Sequence, residues 1–274
     1  MRRVVLLLFC GACAARPAPS APQTPPPSAS PAASSEAAAT TTTTVAETPA
    51  PAAEEHDDEE EVDPNGAESE PIGPSPPFAS RYAALDKPAC EAELAKRKIA
   101  YTQVDTARGV IAPIRLDGPL SGVTFRSNLP SKQRKTAVIE IYDCRLVLAL
   151  DDFAKILAKH DVTEVIHLSV YRPVGKKAPL KNGVGRRHGG ALAIDAAVFK
   201  TSDGKVMNVQ KDFHGAIGSR TCPPPATASE LRKIACEASD ARLFNVLLTP
   251  DYNWAHRNHF HLEVTSGARW FFVR

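Results

Sequence analysis

Apolar side chains recur with two different periods in the C-terminal two thirds of the chain. Residues 144–160 repeat an apolar position every three to four residues, which is the spacing of one helical face. That face collects Leu146, Leu150, Phe153 and Leu157. Residues 163–171 and 191–199 are instead short β-branched or apolar runs, which are typical of strands. The pattern predicts a long amphipathic helix beside buried strands.

The other predicted elements add many strands and few helices. Helices are predicted at 89–100 and 226–238, the second with a Thr or Ser cap followed by Glu230. Further strands are predicted at 110–115, 121–126, 136–143, 243–249, 259–264 and 270–274, and SDG at 202–204 predicts a turn. Residues 172–187 carry Pro, Gly and Lys without a period and predict a loop. Because strands and helices do not alternate, we expect an α+β fold with a mainly antiparallel sheet and a few flanking helices.

The N-terminus is typical of an export signal. Residues 1–13, MRRVVLLLFCGAC, contain two arginines, a short apolar run and small residues before Cys13. The run is too short to span a bilayer as a helix. Gly11 and Ala12 before a cysteine resemble a bacterial lipoprotein signal, so we expect lipidation at Cys13, although Cys10 stands where such signals usually carry Leu. A simple cleaved signal is the alternative.

Residues 14–77 predict a disordered tether. They are rich in Pro, Ala, Ser and Thr, and they offer almost no large apolar side chains to offset the entropy of ordering. They hold twelve acidic residues and one basic residue, a net charge of −11. Residues 78–274, the predicted globular domain, hold thirty Lys and Arg against nineteen Asp and Glu, a net of +11. The basic domain favours anionic partners, and the export signal favours a cell-envelope polymer over nucleic acid.

Four cysteines belong to the domain, namely Cys90, Cys144, Cys222 and Cys236. An even number in an exported domain predicts disulfides, whereas zinc ligation is disfavoured because the domain has no CxxC pair. Three connectivities are open. We favour Cys222 with Cys236, because the prolines at 223–225 make a turn between them, and this leaves Cys90 with Cys144.

Two histidines near the C-terminus, His259 and His261, share one face of the strand predicted at 259–264, because side chains alternate across a strand. One of them can bind a metal while the other works beside it. A polar strand face without a ligand explains the pair equally well. His256 precedes the strand, so we expect it to be exposed or to stand behind the ligands.

A carboxylate within an apolar run makes a metal more plausible. Asp195 lies inside the predicted strand 191–199, seven residues after His188. A buried carboxylate needs a partner, which is either a divalent cation or one of the nearby arginines, Arg186 and Arg187. With one histidine of the HxH pair, these residues supply two nitrogens and one oxygen to a tetrahedral metal and leave one position open, as in catalytic zinc sites. Zinc suits such ligands in an exported protein.

The segments HGGALAID and LTPDYNWAHRNHFHLEV resemble the extensin-like C-terminal domain proteins of bacteria. These are similar to a wider group of zinc peptidases that includes the D-alanyl-D-alanine carboxypeptidases and the penicillin-insensitive murein endopeptidases. The resemblance covers most of residues 80–274. VYRP stands where the group carries a Tyr and an Arg, and the PDYN tetrapeptide and the cysteine of helix 226–238 also fit.

The resemblance implies a role for each candidate residue. His188, Asp195 and His261 would bind Zn²⁺, and His259 would act beside the metal. Arg172 would bind a substrate carboxylate or stabilise the developing oxyanion. The zinc site is expected in a cleft on the sheet.

Three positions depart from the family pattern. Arg186 replaces a usual Ser, and Ala191 replaces a usual Gly. Asn258 stands where the carboxypeptidase relatives carry a Glu general base. Because an amide cannot accept that proton, the base role shifts to His259, or the chemistry shifts toward the endopeptidase branch.

These observations predict a monomeric, zinc-dependent peptidase that hydrolyses amide bonds of peptidoglycan peptides. It would act in the periplasm or cell envelope, held to a membrane through a lipid anchor. The alternative is a non-catalytic module of the same fold that binds the cell wall. A nucleic-acid binder is disfavoured by the secretory signal and the disulfides.

Overall fold

The computed structural model describes residues 78–180, 183–265 and 267–274. The predicted signal at 1–13, its Cys13, and the predicted tether at 14–77 lie outside these residues. Within them, the helices are α1 (Phe78–Ala83), α2 (Lys87–Lys96), α3 (Ser131–Arg134), α4 (Cys144–Lys159), α5 (Val209–Asp212) and α6 (Glu230–Asp240). Short 3-10 turns lie at Val138–Glu140, Arg187–Gly190 and Trp254–His256. No helix of the described residues is both long and apolar enough to cross a bilayer.

The strands form two sheets. They are β1 (Tyr101–Gln103), β2 (Pro113–Leu116), β3 (Thr124–Ser127), β4 (Tyr142–Asp143), β5 (Val162–His167), β6 (Ala193–Thr201), β7 (Val206–Asn208), β8 (Val246–Leu248), β9 (Phe260–Glu263) and β10 (Phe272–Val273). The small sheet has the order β1-β2-β4 and is antiparallel. The large sheet has the order β10-β8-β9-β6-β5-β3, and β7 also pairs with β6. The α+β class is confirmed.

The large sheet is mixed, so the expectation of a mainly antiparallel sheet is only partly correct. Its centre, from β8 through β9 and β6 to β5, is antiparallel. Its two outer pairs, β10 with β8 and β3 with β5, are parallel. Parallel pairing joins segments that lie far apart in the chain, so alternation within each strand cannot reveal it.

The predicted helix at 144–160 is the buried centre of the domain. The four apolar residues of its predicted face are each at most 1% exposed, and α4 also contacts α1, α2 and α6. Asp143 caps its N-terminus by accepting from the backbone N–H of Arg145. The guanidinium of Arg145 binds the same carboxylate, so the charge buried at this helix start is paired.

The strand predicted at 136–143 is wrong for most of its length. A 3-10 turn occupies Val138–Glu140, and only Tyr142–Asp143 pair in a sheet. The buried carboxylate of Glu140 accepts hydrogen bonds from the backbone N–H and the hydroxyl of Ser127. These hydrogen bonds satisfy a buried charge. The backbone N–H groups of Glu140 and Ile141 bond to the carbonyl oxygens of Ala137 and Val138, so this segment forms a turn instead of a strand.

Both disulfides join a helix to a neighbouring segment. Cys90 of α2 is bonded to Cys144 at the start of α4. Cys222 is bonded to Cys236 of α6 across 14 residues. This connectivity is the one that the prolines at 223–225 favoured.

Candidate metal centre

Two central strands bring a carboxylate and an imidazole together on one face of the large sheet. Asp195 of β6 lies directly opposite His261 of β9 in the antiparallel register. Directly opposed residues point to the same face, so their side chains meet. Asp195 Oδ1 lies 3.1 Å from His261 Nδ1. The strand face predicted for His259 and His261 is therefore the face on which His261 meets Asp195.

His188 reaches the same point from the turn that precedes β6. The turn brings Gly185 and Gly190 backbone to backbone, and a Cβ on Gly190 would lie 2.3 Å from the carbonyl oxygen of Gly185. Ala191 follows in the left-handed region, with φ of 52°, at the position where the family usually carries Gly. His188 Nε2 then lies 3.1 Å from Asp195 Oδ1 and 3.3 Å from His261 Nδ1.

These three atoms, His188 Nε2, Asp195 Oδ1 and His261 Nδ1, form a nearly equilateral triangle, and we call the residues the inner triad. All three residues are buried, with exposures of 8%, 1% and 6% in that order. Ligands bound at about 2.0–2.1 Å in a tetrahedral arrangement lie roughly 3.3 Å from one another. The spacing in the inner triad, 3.1 to 3.3 Å, fits that requirement without rearrangement.

Hydrogen bonds on the outer side of each ring decide which nitrogen faces the triangle. His188 Nδ1 lies 2.7 Å from the carbonyl oxygen of Val170, which can only accept, so Nδ1 carries the proton. His261 Nε2 lies 3.5 Å from Glu263 Oε2, which leaves Nδ1 to face Asp195. When both rings are neutral, two lone pairs and a carboxylate oxygen converge here, and they repel one another unless a proton or a metal ion lies between them. The donor set thus fits a divalent metal.

The pKa values reflect the same close approach of a carboxylate and imidazoles. Burial alone would raise the pKa of Asp195, but the facing histidines hold it well below its usual value. Burial alone would lower the pKa of His261, but Asp195 and Glu263 raise it to about 9. Without a metal, the triad therefore keeps a proton on His261, and a metal ion must displace that proton to bind.

Glu263 is a functional candidate that the sequence reasoning missed. Its buried carboxylate lies behind His261, accepts from the hydroxyl of Thr265 at 2.6 Å, and is 3.7 Å from Arg187 Nε. A carboxylate behind a metal-binding imidazole fixes the ring orientation and makes it a stronger ligand. The signal was present, because residues 259, 261 and 263 alternate on the same strand face.

Asp195 is held on its other oxygen by Ser169 and Arg172, which follow β5 in the chain. Oδ2 accepts from Ser169 Oγ at 2.9 Å and from Arg172 Nη2 at 2.6 Å. The arginine beside Asp195 is therefore Arg172. Neither Arg186 nor Arg187, the alternatives open from the sequence, is its ion-pair partner in the described contacts, and Arg187 lies near Glu263 instead. The Arg172 side chain is 40% exposed, so this partner of Asp195 is partly accessible to solvent.

His259 stands beside the inner triad, just before β9 begins. Its Nε2 lies 3.4 Å from Asp195 Oδ1. Its Nδ1 lies 2.7 Å from Asn258 Oδ1, which accepts, so Nε2 is the nitrogen with the lone pair. Burial lowers the pKa of His259 to about 4, so the ring is neutral at pH 7. Asn258 thus holds the imidazole in the tautomer that a proton acceptor needs.

His256 lies closer to the cluster than the sequence indicated. It is half-buried in the turn Trp254–His256, with ring centroids 5.2 Å from His259 and 5.7 Å from His261. Burial, followed by the charge of His261, lowers the pKa of His256 to about 3. Four histidines and one aspartate therefore surround one region of the sheet.

The fold and the site define an α+β domain whose large sheet carries a buried His–Asp–His cluster. The model of the family described as Extensin-like protein C-terminus matches residues 88–274. The chain belongs to this family, as its motifs predicted. No curated protein and no solved structure matches the chain significantly.

Proposed function

We propose that the protein is a zinc-dependent peptidase that hydrolyses amide bonds of peptidoglycan peptides in the cell envelope. The observation that carries the proposal is the inner triad of His188, Asp195 and His261. Three buried ligand atoms lie 3.1 to 3.3 Å apart, and the partner of each ring leaves the inner nitrogen for a metal. A protein that needed only a stable sheet would gain nothing from this arrangement, because burying such groups is costly.

A zinc ion held by the triad supplies Lewis-acid chemistry, which activates water and polarises the scissile carbonyl. The chain supplies the proton transfers. His259 Nε2 accepts a proton from the attacking water and later delivers it to the leaving amine. Asn258 holds the opposite nitrogen of that ring, so the accepting nitrogen stays directed at the cluster.

Arg172 has two roles in this proposal. Its Nη2 holds Asp195 Oδ2 and so orients the ligand carboxylate. Its partly exposed guanidinium also places fixed positive charge at the edge of the site, where it favours a substrate carboxylate or a developing oxyanion.

Peptidoglycan is proposed as the substrate for three reasons. The motifs resemble zinc peptidases that act on this polymer, although the family match does not extend to those enzymes. The domain is basic, with a net charge of +11 over residues 78–274, and the N-terminus predicts export. A lipid anchor at Cys13 would hold the monomeric enzyme at a membrane that faces the cell wall.

A non-catalytic wall-binding module remains the second candidate. The close pairing of Arg172 with Asp195, at 2.6 Å, favours it, because an arginine engaged in this way has less freedom to bind substrate. A binding module would retain the fold and its affinity for peptidoglycan without hydrolysing it.

Incubation of the full chain with purified muropeptides distinguishes the two candidates. We expect mass spectrometry to show shortened or separated stem peptides, and we expect a metal chelator to abolish them. His259→Ala should retain zinc but lose the products. Products that persist in the chelator would contradict a metal-dependent peptidase, and wall binding without products would favour the binding module.

A further inference from the structure

Three histidines converge beside the inner triad and form a second group with metal-ligand spacing. We call His256, His259 and His261 the outer triad. One nitrogen from each ring lies within 4.8 Å of the other two. The ring centroids of His256 are 5.2 Å from His259 and 5.7 Å from His261. Rings that share a tetrahedral metal at about 2.0–2.1 Å have centroids roughly 5 Å apart. The ring positions of the outer triad are therefore near those of a bound metal, while its ligand atoms must still move closer together.

Two of these rings, His256 and His259, already have a hydrogen-bond partner on one nitrogen. His256 Nδ1 lies 2.7 Å from Asn253 Oδ1, which also accepts from the backbone N–H of His256. An amide oxygen can only accept, so His256 Nδ1 carries the proton and Nε2 carries the lone pair. The same argument applies to His259 and its partner, Asn258. The fixed tautomers leave one nitrogen on each of these two rings available to a ligand.

The two triads share His261, so they are alternative positions for one ion. The inner triad includes a carboxylate and is tightly spaced. The outer triad consists of three imidazoles, is more loosely spaced, and includes the half-buried His256 on its solvent side. Imidazole ligands suit zinc, copper, cobalt and nickel.

We propose that the outer triad is a second binding position for a divalent transition metal ion, which it holds when the inner triad cannot. The position is weaker than the inner one, because its ligand atoms must move together to reach the ion. The inference goes beyond the proposed peptidase function and does not require hydrolysis. It requires that His256, His259 and His261 together can bind a metal ion.

Equilibrium dialysis of the full chain against cobalt(II) chloride tests this position, with metal analysis and the visible absorption of bound Co²⁺ as readouts. His188→Ala and Asp195→Asn disable the inner triad in two independent ways. We expect each variant to retain one equivalent of Co²⁺, with affinity lower than that of the unchanged chain by at least about tenfold.

Adding His256→Ala to either variant should then lower the remaining affinity by about a further 100-fold. Adding His214→Ala, which removes an exposed histidine outside both triads, should leave it unchanged. Circular dichroism identifies any variant that fails to fold, and the other inner-triad variant then decides. The proposal is overturned if folded His188→Ala and Asp195→Asn bind no Co²⁺, or if their binding is insensitive to His256→Ala. Absence of binding by the unchanged chain would instead overturn the proposed zinc site itself.

Discussion

The orientation of three imidazoles in the cluster depends in each case on one neighbouring oxygen atom, which can only accept a hydrogen bond. Val170 serves His188 in this way, Glu263 serves His261, and Asn258 serves His259. Because a neutral imidazole has one donor and one acceptor nitrogen, fixing the donor fixes the nitrogen that faces the site. The chemistry of the cluster is therefore set by residues that the ion would not touch.

Replacing Asn258 tests whether this control extends to the proposed base. Asn258→Leu removes the acceptor behind His259, so the ring can rotate or change tautomer. We expect muropeptide hydrolysis to fall by about 10- to 100-fold while the zinc content stays at one equivalent. Asn258→Asp restores an acceptor and should recover most of the rate. Equal rates in the unchanged chain and the Leu variant would show that His259 needs no such partner.

Replacing Glu263 tests how a carboxylate beside the proposed ligand His261 affects metal binding. Glu263→Gln keeps the size of the side chain but removes the negative charge behind His261. We expect zinc affinity, measured by competition with a coloured chelator, to fall by about 10- to 100-fold. Glu164→Gln is the matched control, since Glu164 lies on β5 and pairs with Arg126 and Lys200 away from the cluster. A similar loss in both variants would point to a general charge effect.

At the level of elements, the sequence predicted the helices and strands that have a strong local pattern. It missed features that depend on contacts between distant parts of the chain. The helix at 144–160 and the strand at 191–199 correspond to α4 and β6. The strand at 136–143 failed because buried Glu140 pairs with Ser127, a contact between separate segments. The parallel pairing of β10 with β8 is equally non-local.

The turn that carries His188 was predicted only as the end of a loop. Its conformation depends on a backbone approach between Gly185 and Gly190, which no periodicity reveals. The motif identified His188 as a candidate ligand. Its position in the site, however, depends on contacts that exist only in the folded chain.

Gly190→Ala tests the contribution of this turn. The added Cβ would lie 2.3 Å from the carbonyl oxygen of Gly185, so the backbone must shift and carry His188 with it. We expect a loss of about 1–3 kcal/mol in the free energy of unfolding, measured in urea, together with weaker zinc binding. Gly175→Ala meets nothing within 4 Å and should change neither quantity greatly. Full zinc affinity in Gly190→Ala would show that the turn tolerates displacement.

At the level of the whole molecule, an ionic network joins α2 and α4. Arg97, just after α2, contacts Asp151 and Asp152 of α4 at 3.0 and 3.1 Å, and Glu93 at 3.0 Å. Burial would raise the pKa of Asp152, but Lys155, Tyr82 and Arg97 together hold it below its usual value. A hydrogen bond from Arg97 lowers the pKa of Glu93 in the same way.

This network predicts how stability responds to acid. Because these carboxyl pKa values are lower in the folded chain, their contribution is complete above the unfolded pKa of about 4. It is lost as the pH falls through the folded values. We expect the urea midpoint to fall between pH 7 and pH 3, and Arg97→Met to reduce that difference. Lys159→Met, at an exposed side chain of α4 outside this network, should preserve it. If the difference in urea midpoint between pH 7 and pH 3 were the same in Arg97→Met as in the unchanged chain, the network would not be the source of the acid sensitivity.

The central claim, that the cluster binds zinc for hydrolysis, depends most directly on His261, the residue shared by both triads. The measurement is the zinc content of the purified full chain and of His261→Ala, each also assayed on muropeptides. We predict one equivalent of zinc and hydrolysis for the unchanged chain, and neither for the variant. A folded His261→Ala protein that keeps its zinc and cleaves muropeptides would contradict the account.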